Sequence, residues 1–389
     1  MLRTFFVLWR GVFSYDYFGG GLMNFLSVIG TRPEAIKMCP LILELRSRGI
    51  SAPVLATGQH GVLLDEVMMC FGVEPIENLA LMEKVGSQGE LVSEILCRLP
   101  RILIREKPDA VLVHGDTTTA FAAALACFYE GIPVCHVEAG LRTYRARLPF
   151  PEEFNRRAVA LTASLHFAPT EAARENLLRE GILRETVFVT GNTGLDALRY
   201  TVRKDYRGEL TDFAAGRRLI LVTAHRRENL HKLGQMMSAI ADVAKERKDI
   251  AVVVSAHPNP PVRRAMLQVF ADIPNVRVVS ALGVEDFHNL LARSFLVLTD
   301  SGGIQEEAPV FGIPVLVMRS ETERPEGLAA GTLRLIGTSF ESIREGFCRL
   351  LDDPALYEAM KKAKNPYGDG KASVRIADIL CGNIILADK

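Results

Sequence analysis

From Phe25 onward the chain repeats one pattern: a short apolar run, a polar cluster at its end, then a segment with helical period. FLSVIG (25–30), AVLVHG (110–115), IPVCHVE (132–138), RLILVTAH (218–225), AVVVSAH (251–257), FLVLTD (295–300) and IPVLVM (313–318) are near-continuous apolar runs rather than alternating ones. Strands of that kind need cover on both faces, the condition of a parallel sheet between helix layers. Ligands of such open sheets bind beyond the carboxyl ends of the strands. The polar clusters fall there: Arg32, Asp116, Glu138, His225, His257 and Ser301–Glu307.

At 389 residues the chain is too long for one ordinary core, and two domains follow. The tetrapeptide GIPV recurs at 131–134 and 312–315, after a helical segment and before a strand each time. The expected architecture is α/β, with two doubly wound Rossmann-like domains facing a central cleft, a glycosyltransferase-B-type layout. The first domain is read as 23–190 and the second as 191–370, with the join near GNTG (191–194). Residues 371–389 read as a C-terminal helix packing back on the first domain. Residues 1–22 are rich in aromatics, but their longest apolar run, Phe5–Trp9, is far too short to span a bilayer. They read as a non-functional extension, with Met23 as the true start. A helix is expected from about Ile36 to Arg48.

Lys+Arg and Asp+Glu are both 46, so the basic surplus of a general nucleic-acid binder is missing. The seven cysteines are scattered without a C-x-x-C pair, which reads as buried reduced thiols in a cytoplasmic protein rather than a disulfide framework or zinc site. No G-x-G-x-x-G follows the first strand, and neither G-x-x-x-x-G-K-[ST] nor H-E-x-x-H occurs. A tightly bound dinucleotide, ATP chemistry and zinc hydrolysis thus lose their usual signatures, and neither a metal nor membrane insertion is expected.

Each cluster has a structural and a chemical reading. In GTRPE (30–34), Arg32 is either a solvated turn residue or a planar fork for phosphate oxygens. In HGDTTT (114–119), Asp116 or Thr117 caps a helix, or Asp116 is an acid/base carboxylate. HVEAGLRT (136–143) puts Glu138 at a strand end with Arg142 as its nearby cation. PFPEEFNRR (149–157) puts Glu152 and Glu153 in a first helical turn, where the dipole alone explains at least one acid. His225 beside Arg226 and Arg227 suits a polyphosphate. DSGGIQEEAP (300–309) is the most specific segment: Ser301, Gly302 and Gly303 open a helix, and Glu307 can hold a ribose. Arg324 follows on a later loop, in ERPEG.

Taken together, GTRPEAIKM, VLVHGDTTT, HVEAGLRT, PFPEE-N-R, HRREN, LTDSGGIQEEAP, PVLVMR-TERPE and NPYGDG (365–370) resemble the non-hydrolysing UDP-N-acetylglucosamine 2-epimerase family from about residue 25 to 378. The resemblance implies reversible inversion at C2 of UDP-N-acetylglucosamine to give UDP-N-acetylmannosamine, by elimination and re-addition of UDP, in supply of cell-surface polysaccharide. By matching position it implies Asp116, Glu138 and Glu152 as catalytic carboxylates and His225 near the leaving diphosphate. It places Arg32, Lys37, His257, Phe287, Ser301, Gly302, Gly303, Glu307 and Arg324 around the UDP-sugar. A homodimer, and no organic cofactor, are expected on the same ground. Gln59, His60 and Gln88 correspond to an allosteric site, but GVLLDE after Gln59–His60 and MEKVGSQGEL (82–91) depart from the family pattern, as does TYRARLPF (143–150) before Glu152. A related UDP-2-acetamido sugar as substrate, and a silent UDP-sugar-binding paralogue, are the competing readings.

Overall fold

The computed structural model describes residues 23–382 except 60, 84, 257 and 258. The calls on residues 1–22, His60 and His257 lie outside the described residues, as do the last seven positions of the C-terminal segment. The chain divides into two compact units. One takes the residues up to Tyr200 together with those from Gly368 on; the other is Thr201–Tyr367.

The first unit holds β1 (Phe25–Ile29), β2 (Val54–Ala56), β3 (Glu77–Asn78), β4 (Ala110–His114), β5 (Val134–Val137), β6 (Leu165–Ala168) and β7 (Val187–Val189). They form one sheet of order β3-β2-β1-β4-β5-β6-β7, parallel at every pairing. The second unit holds β8 (Arg218–Thr223), β9 (Ile250–Ser255), β10 (Val276–Val279), β11 (Leu296–Thr299), β12 (Val315–Val317) and β13 (Leu333–Leu335), in the order β10-β9-β8-β11-β12-β13, again all parallel. Both sheets are doubly wound, as the continuous apolar runs require. Along β8, Ile220 and Val222 join one apolar cluster while Leu219 and Leu221 join another, so both faces of that strand are covered.

The strand order reverses between β1 and β4 in one sheet and between β8 and β11 in the other. A doubly wound sheet opens its binding crevice at that switch point. The segments leaving these four strands are Gly30–Arg32, Gly115–Thr117, Ala224–Arg226 and Asp300–Gly302. The GIPV echo has a local cause: Gly131 (φ 69°) and Gly312 (φ 66°) both take the left-handed conformation that ends the preceding helical turn.

The first helix begins at Arg32, four residues before the expected Ile36, and runs to Ser47. GTRPE is itself the helix start: Thr31 is the N-cap, Glu34 closes the capping box, and Pro33 sits in the first turn. GNTG leads into the helix Thr193–Thr201. The last helix, Ala372–Leu380, packs on the first one, with Arg48 paired to Asp378 at 2.7 Å. The Asp196 carboxylate accepts the N–H groups of Ala372 (3.1 Å) and Ser373 (2.8 Å) at its start. None of the seven cysteines is in a disulfide, but only Cys39, Cys127 and Cys135 are buried. Cys70 and Cys97 lie on outward faces of helices and are exposed, so the expectation of uniformly buried thiols is corrected.

Candidate active site

Two loops leave the switch point of the first unit, and Glu34 ties them together. Its Oε2 accepts the N–H groups of Gly30 (3.1 Å) and Thr31 (2.7 Å), and its Oε1 accepts the Thr117 hydroxyl (2.8 Å). Burial pushes this carboxyl up to about 7 against those donors. Gly30 has no room for a side chain, since a Cβ would stand 2.1 Å from Thr119 Oγ1. Thr117 caps the helix Thr118–Tyr129 through the Ala120 N–H, so the capping reading of HGDTTT belongs to Thr117 and leaves the Asp116 side chain for other work.

Asp116, Glu138 and Glu152 converge beyond the ends of β4 and β5. Asp116 makes an ion pair with Arg156, and its carbonyl accepts Asn155 Nδ2 at 2.9 Å. Burial raises the Asp116 carboxyl above its ordinary value; Arg156 opposes this, and the charges of Glu138 and Glu152 add to the rise. Glu138 follows β5 with φ 61°, a left-handed conformation that a non-glycine residue adopts only under local strain. That turn aims its carboxylate at Lys37, with which it pairs, and toward His114 Nε2 at 3.7 Å. His114 is buried, and desolvation lowers it to about 4 despite the neighbouring Glu138, so the ring is neutral at physiological pH. The expected Glu138–Arg142 pairing is corrected: Arg142 makes a two-pronged pair with Glu180 at 2.9 and 2.8 Å.

The adjacent glutamates part company on the helix Glu152–Thr162. Glu153 is fully buried and accepts the N–H groups of Thr143 and Tyr144, each at 2.9 Å, which anchors the preceding loop. Glu152 keeps a buried Oε2 with no hydrogen-bond partner among the described residues. An uncompensated carboxylate oxygen costs free energy unless a bound molecule brings a donor to it.

In the second unit the buried Asp300 organises the switch point. Its carboxylate accepts the N–H groups of His225 and Arg226, both at 3.1 Å, and Asn229 Nδ2 at 3.0 Å. The His225 ring itself is half-exposed. Arg226 spends donors inside the fold, on the Asp300 carbonyl at 2.9 Å and on Glu323 at 3.1 Å, so it braces the loop instead of presenting a bare fork. Burial alone would raise Glu323, but the hydrogen bond from Arg319 and the charges of Arg226 and Arg319 hold it down at about 2. Beyond β11, Ser301 precedes the short helix Gly302–Glu307. The Arg324 guanidinium lies against the Gly302 backbone, where a Cβ would come within 3.3 Å of Nη2, and Arg324 Nε donates to Glu306 at 2.5 Å. Glu307 Oε2 stands 3.7 Å from His288 Nε2. Phe287, one residue earlier, packs half-buried against the apolar cluster beneath this helix.

The sequence model of the UDP-N-acetylglucosamine 2-epimerase family matches residues 43–381. The UDP-N-acetylglucosamine 2-epimerase of Bacillus subtilis is 49% identical over 360 residues, 92% of this chain and 95% of its own. This chain belongs to the UDP-N-acetylglucosamine 2-epimerase family. Among solved structures, the Neisseria meningitidis UDP-GlcNAc 2-epimerase bound to UDP-GlcNAc superposes with a TM-score of 0.86 at 43% identity, covering 93% of this chain and 100% of that one. The Staphylococcus aureus MnaA–UDP co-structure gives 0.86 at 44% identity, with 94% and 99% covered.

For this epimerase-family chain, the structure gathers Asp116, Glu138, Glu152 and Lys37 in the first unit, and His225, Ser301, Gly302, Gly303 and Arg324 around the switch point of the second, with Glu307 at the end of the helix that Ser301 precedes and Phe287 on the helix before β11. Arg32 is half-buried at the first position of its helix. Gln59 and Gln88 reach the start of the helix after Asp116, accepting Thr119 Oγ1 at 3.1 Å and Thr118 Oγ1 at 2.6 Å. Sequence reasoning missed Glu34, His114, Arg156 and Asp300. Signals existed for two of them: Thr31 and Glu34 have capping-box spacing, and Arg156 lies four residues after Glu152 on one helical face.

Proposed function

We propose that this enzyme interconverts UDP-N-acetylglucosamine and UDP-N-acetylmannosamine by anti elimination of UDP and its re-addition after protonation of C2 on the other face. The observation that carries the reading is the trio Asp116, Glu138 and Glu152 at one switch point, two of them paired with cations and one with an unpartnered oxygen. The C2 hydrogen of the sugar is not next to a carbonyl, so it needs a placed base. Inversion needs an acid on the opposite face, and each such group supplies on the order of 10²–10⁴-fold. The departing diphosphate requires stabilisation too, which we assign to His225 and the Ser301–Gly303 backbone, with the Arg324 guanidinium beside them. Glu307 takes the ribose and Phe287 the uracil. No cofactor enters this scheme.

Incubation with UDP-N-acetylglucosamine in deuterated water tests it. Deuterium at C2 of recovered substrate and a new UDP-N-acetylmannosamine anomeric signal are expected. Turnover of another UDP-2-acetamido sugar alone would overturn the substrate. Binding without any C2 exchange would make the protein a silent binder.

The same reading carries a cytoplasmic homodimer that supplies cell-surface polysaccharide synthesis. Cysteines outside any disulfide agree with a reducing compartment. Among the described residues no helix is long and apolar enough to cross a membrane. The helix Thr118–Tyr129 carries no charged residue, yet Phe128 and Tyr129 are exposed on it, as are Phe154 and Leu161 on the neighbouring helix. A helix apolar on all sides calls for cover, and a second copy supplies it. Light scattering should give a dimer that Phe128→Glu with Leu161→Glu reduces to a monomer. A monomeric wild type would refute this.

A further inference from the structure

The three carboxylates differ in what holds them, and Arg156 is the residue that makes the difference for Asp116. Its Nη2 pairs with Asp116 Oδ2, while its Nη1 stands 3.7 Å from Glu153 Oε2. The side chain is nearly buried, and its Nε has no acceptor among the described residues. The preceding residue, Asn155, fixes the Asp116 carbonyl from the same helical turn at 2.9 Å. One turn of the helix Glu152–Thr162 thus carries the unpartnered Glu152, the loop anchor Glu153, and both groups that grip Asp116.

Resting on the epimerase reading above, we propose that Arg156 is a positioning residue that keeps Asp116 an ionised, oriented base, so that Asp116 serves as a proton acceptor at C2. In the forward step Asp116 takes the C2 proton. The C–H electron pair becomes the C1–C2 double bond, and the C1–oxygen bond breaks with its pair leaving on UDP. Re-addition reverses these flows, with the proton delivered to the other face. Every charged group facing Asp116 bears on this role: Arg156 and Glu152 from the helix Glu152–Thr162, Glu138 from the end of β5, and Lys37 from the helix Arg32–Ser47. Arg156 and Lys37 favour the carboxylate, while burial and the two glutamates oppose it. Burial already holds the carboxyl above its ordinary value with Arg156 in place; with Arg156 neutralised it rises further, and Asp116 takes up its proton closer to neutrality.

The test is the pH profile of kcat/KM for C2 exchange in wild type, Arg156→Gln and Arg156→Lys. In Arg156→Gln the acidic limb should move up by about one unit, a tenfold loss at a fixed pH on that limb. Activity should recover as pH rises, with KM changed less than about threefold. Arg156→Lys should hold the limb within about half a unit of wild type, even if the Gln variant fails to fold. A uniform fall in kcat with the limb unmoved would overturn the proposal, and so would a Lys variant whose limb moves by a full unit. Absence of exchange in the wild type would instead sink the epimerase reading itself.

Discussion

Adjacent glutamates on one helical turn should respond to the same substitution in opposite ways. In Glu153→Gln, a fully buried carboxylate that accepts two backbone N–H groups at 2.9 Å becomes an amide with one acceptor oxygen. One of the Thr143 and Tyr144 amides then faces an NH₂ group, and the other loses its charge-assisted bond. With about 1.5–3 kcal/mol for a hydrogen bond to a charged group and a further cost for the orphaned donor, the local loss is about 2–4 kcal/mol. Hydrogen exchange across residues 141–151, read by mass spectrometry, should therefore accelerate by roughly 30- to 1,000-fold. Glu152→Gln removes no hydrogen bond at Oε2 among the described residues. Its exchange should stay within about threefold of wild type while epimerisation falls by about 10²–10⁴-fold. Unchanged exchange in Glu153→Gln would refute the division of labour, and so would a Glu152→Gln enzyme that opens the loop and keeps its turnover.

Asp116→Asn should abolish C2 exchange while leaving the affinity for UDP, measured by calorimetry, nearly intact; Glu307→Ala should weaken that affinity more than it slows bound substrate. Gly30→Ala should destabilise the first domain by about 1–3 kcal/mol in chemical denaturation, because its Cβ would stand 2.1 Å from Thr119 Oγ1. Acid should loosen the same domain. Burial lowers His114 to about 4 and His136 to about 3 from 6.5, so the unfolded chain takes up these protons first, and stability is lost as pH falls from 6.5. Glu34, raised to about 7 from 4.5, works the other way over pH 4.5–7. His166, lowered by burial as well, adds to the loss, so the histidines outweigh Glu34 and the domain should lose stability as pH falls from 6.5 toward 4.5. His114→Asn should flatten the slope by one proton, and an unchanged slope would show that His114 is not the source.

The apolar runs located β1, β4 and β5 in one sheet and β8, β9, β11 and β12 in the other, the central strands, because a strand covered on two faces leaves little freedom in composition; the runs did not mark the outer strands. The polar residues at their ends marked the switch points, and the motif order alone identified the family. Local rules also explain why Thr31 caps the first helix and why glycine stands at 131 and 312.

The partners of the proposed catalytic groups were decided only by tertiary structure. Lys37 meets Glu138 across 101 positions, and Thr117 meets Glu34 across 83, because parallel pairing of β1, β4 and β5 brings their carboxyl ends together. Arg142 stands four residues from Glu138 yet turns to Glu180, since the left-handed backbone at Glu138 aims its carboxylate elsewhere. Nothing in the dipeptide Glu152–Glu153 tells its two acids apart. One meets the amides of a returning loop and the other has an oxygen that meets no donor among the described residues, so the fold makes one a strut and leaves the other for the proposed chemistry. Sequence order determines which chemistry a chain can carry; charge pairing at a distance depends on strand register and backbone angle, which only the folded chain possesses.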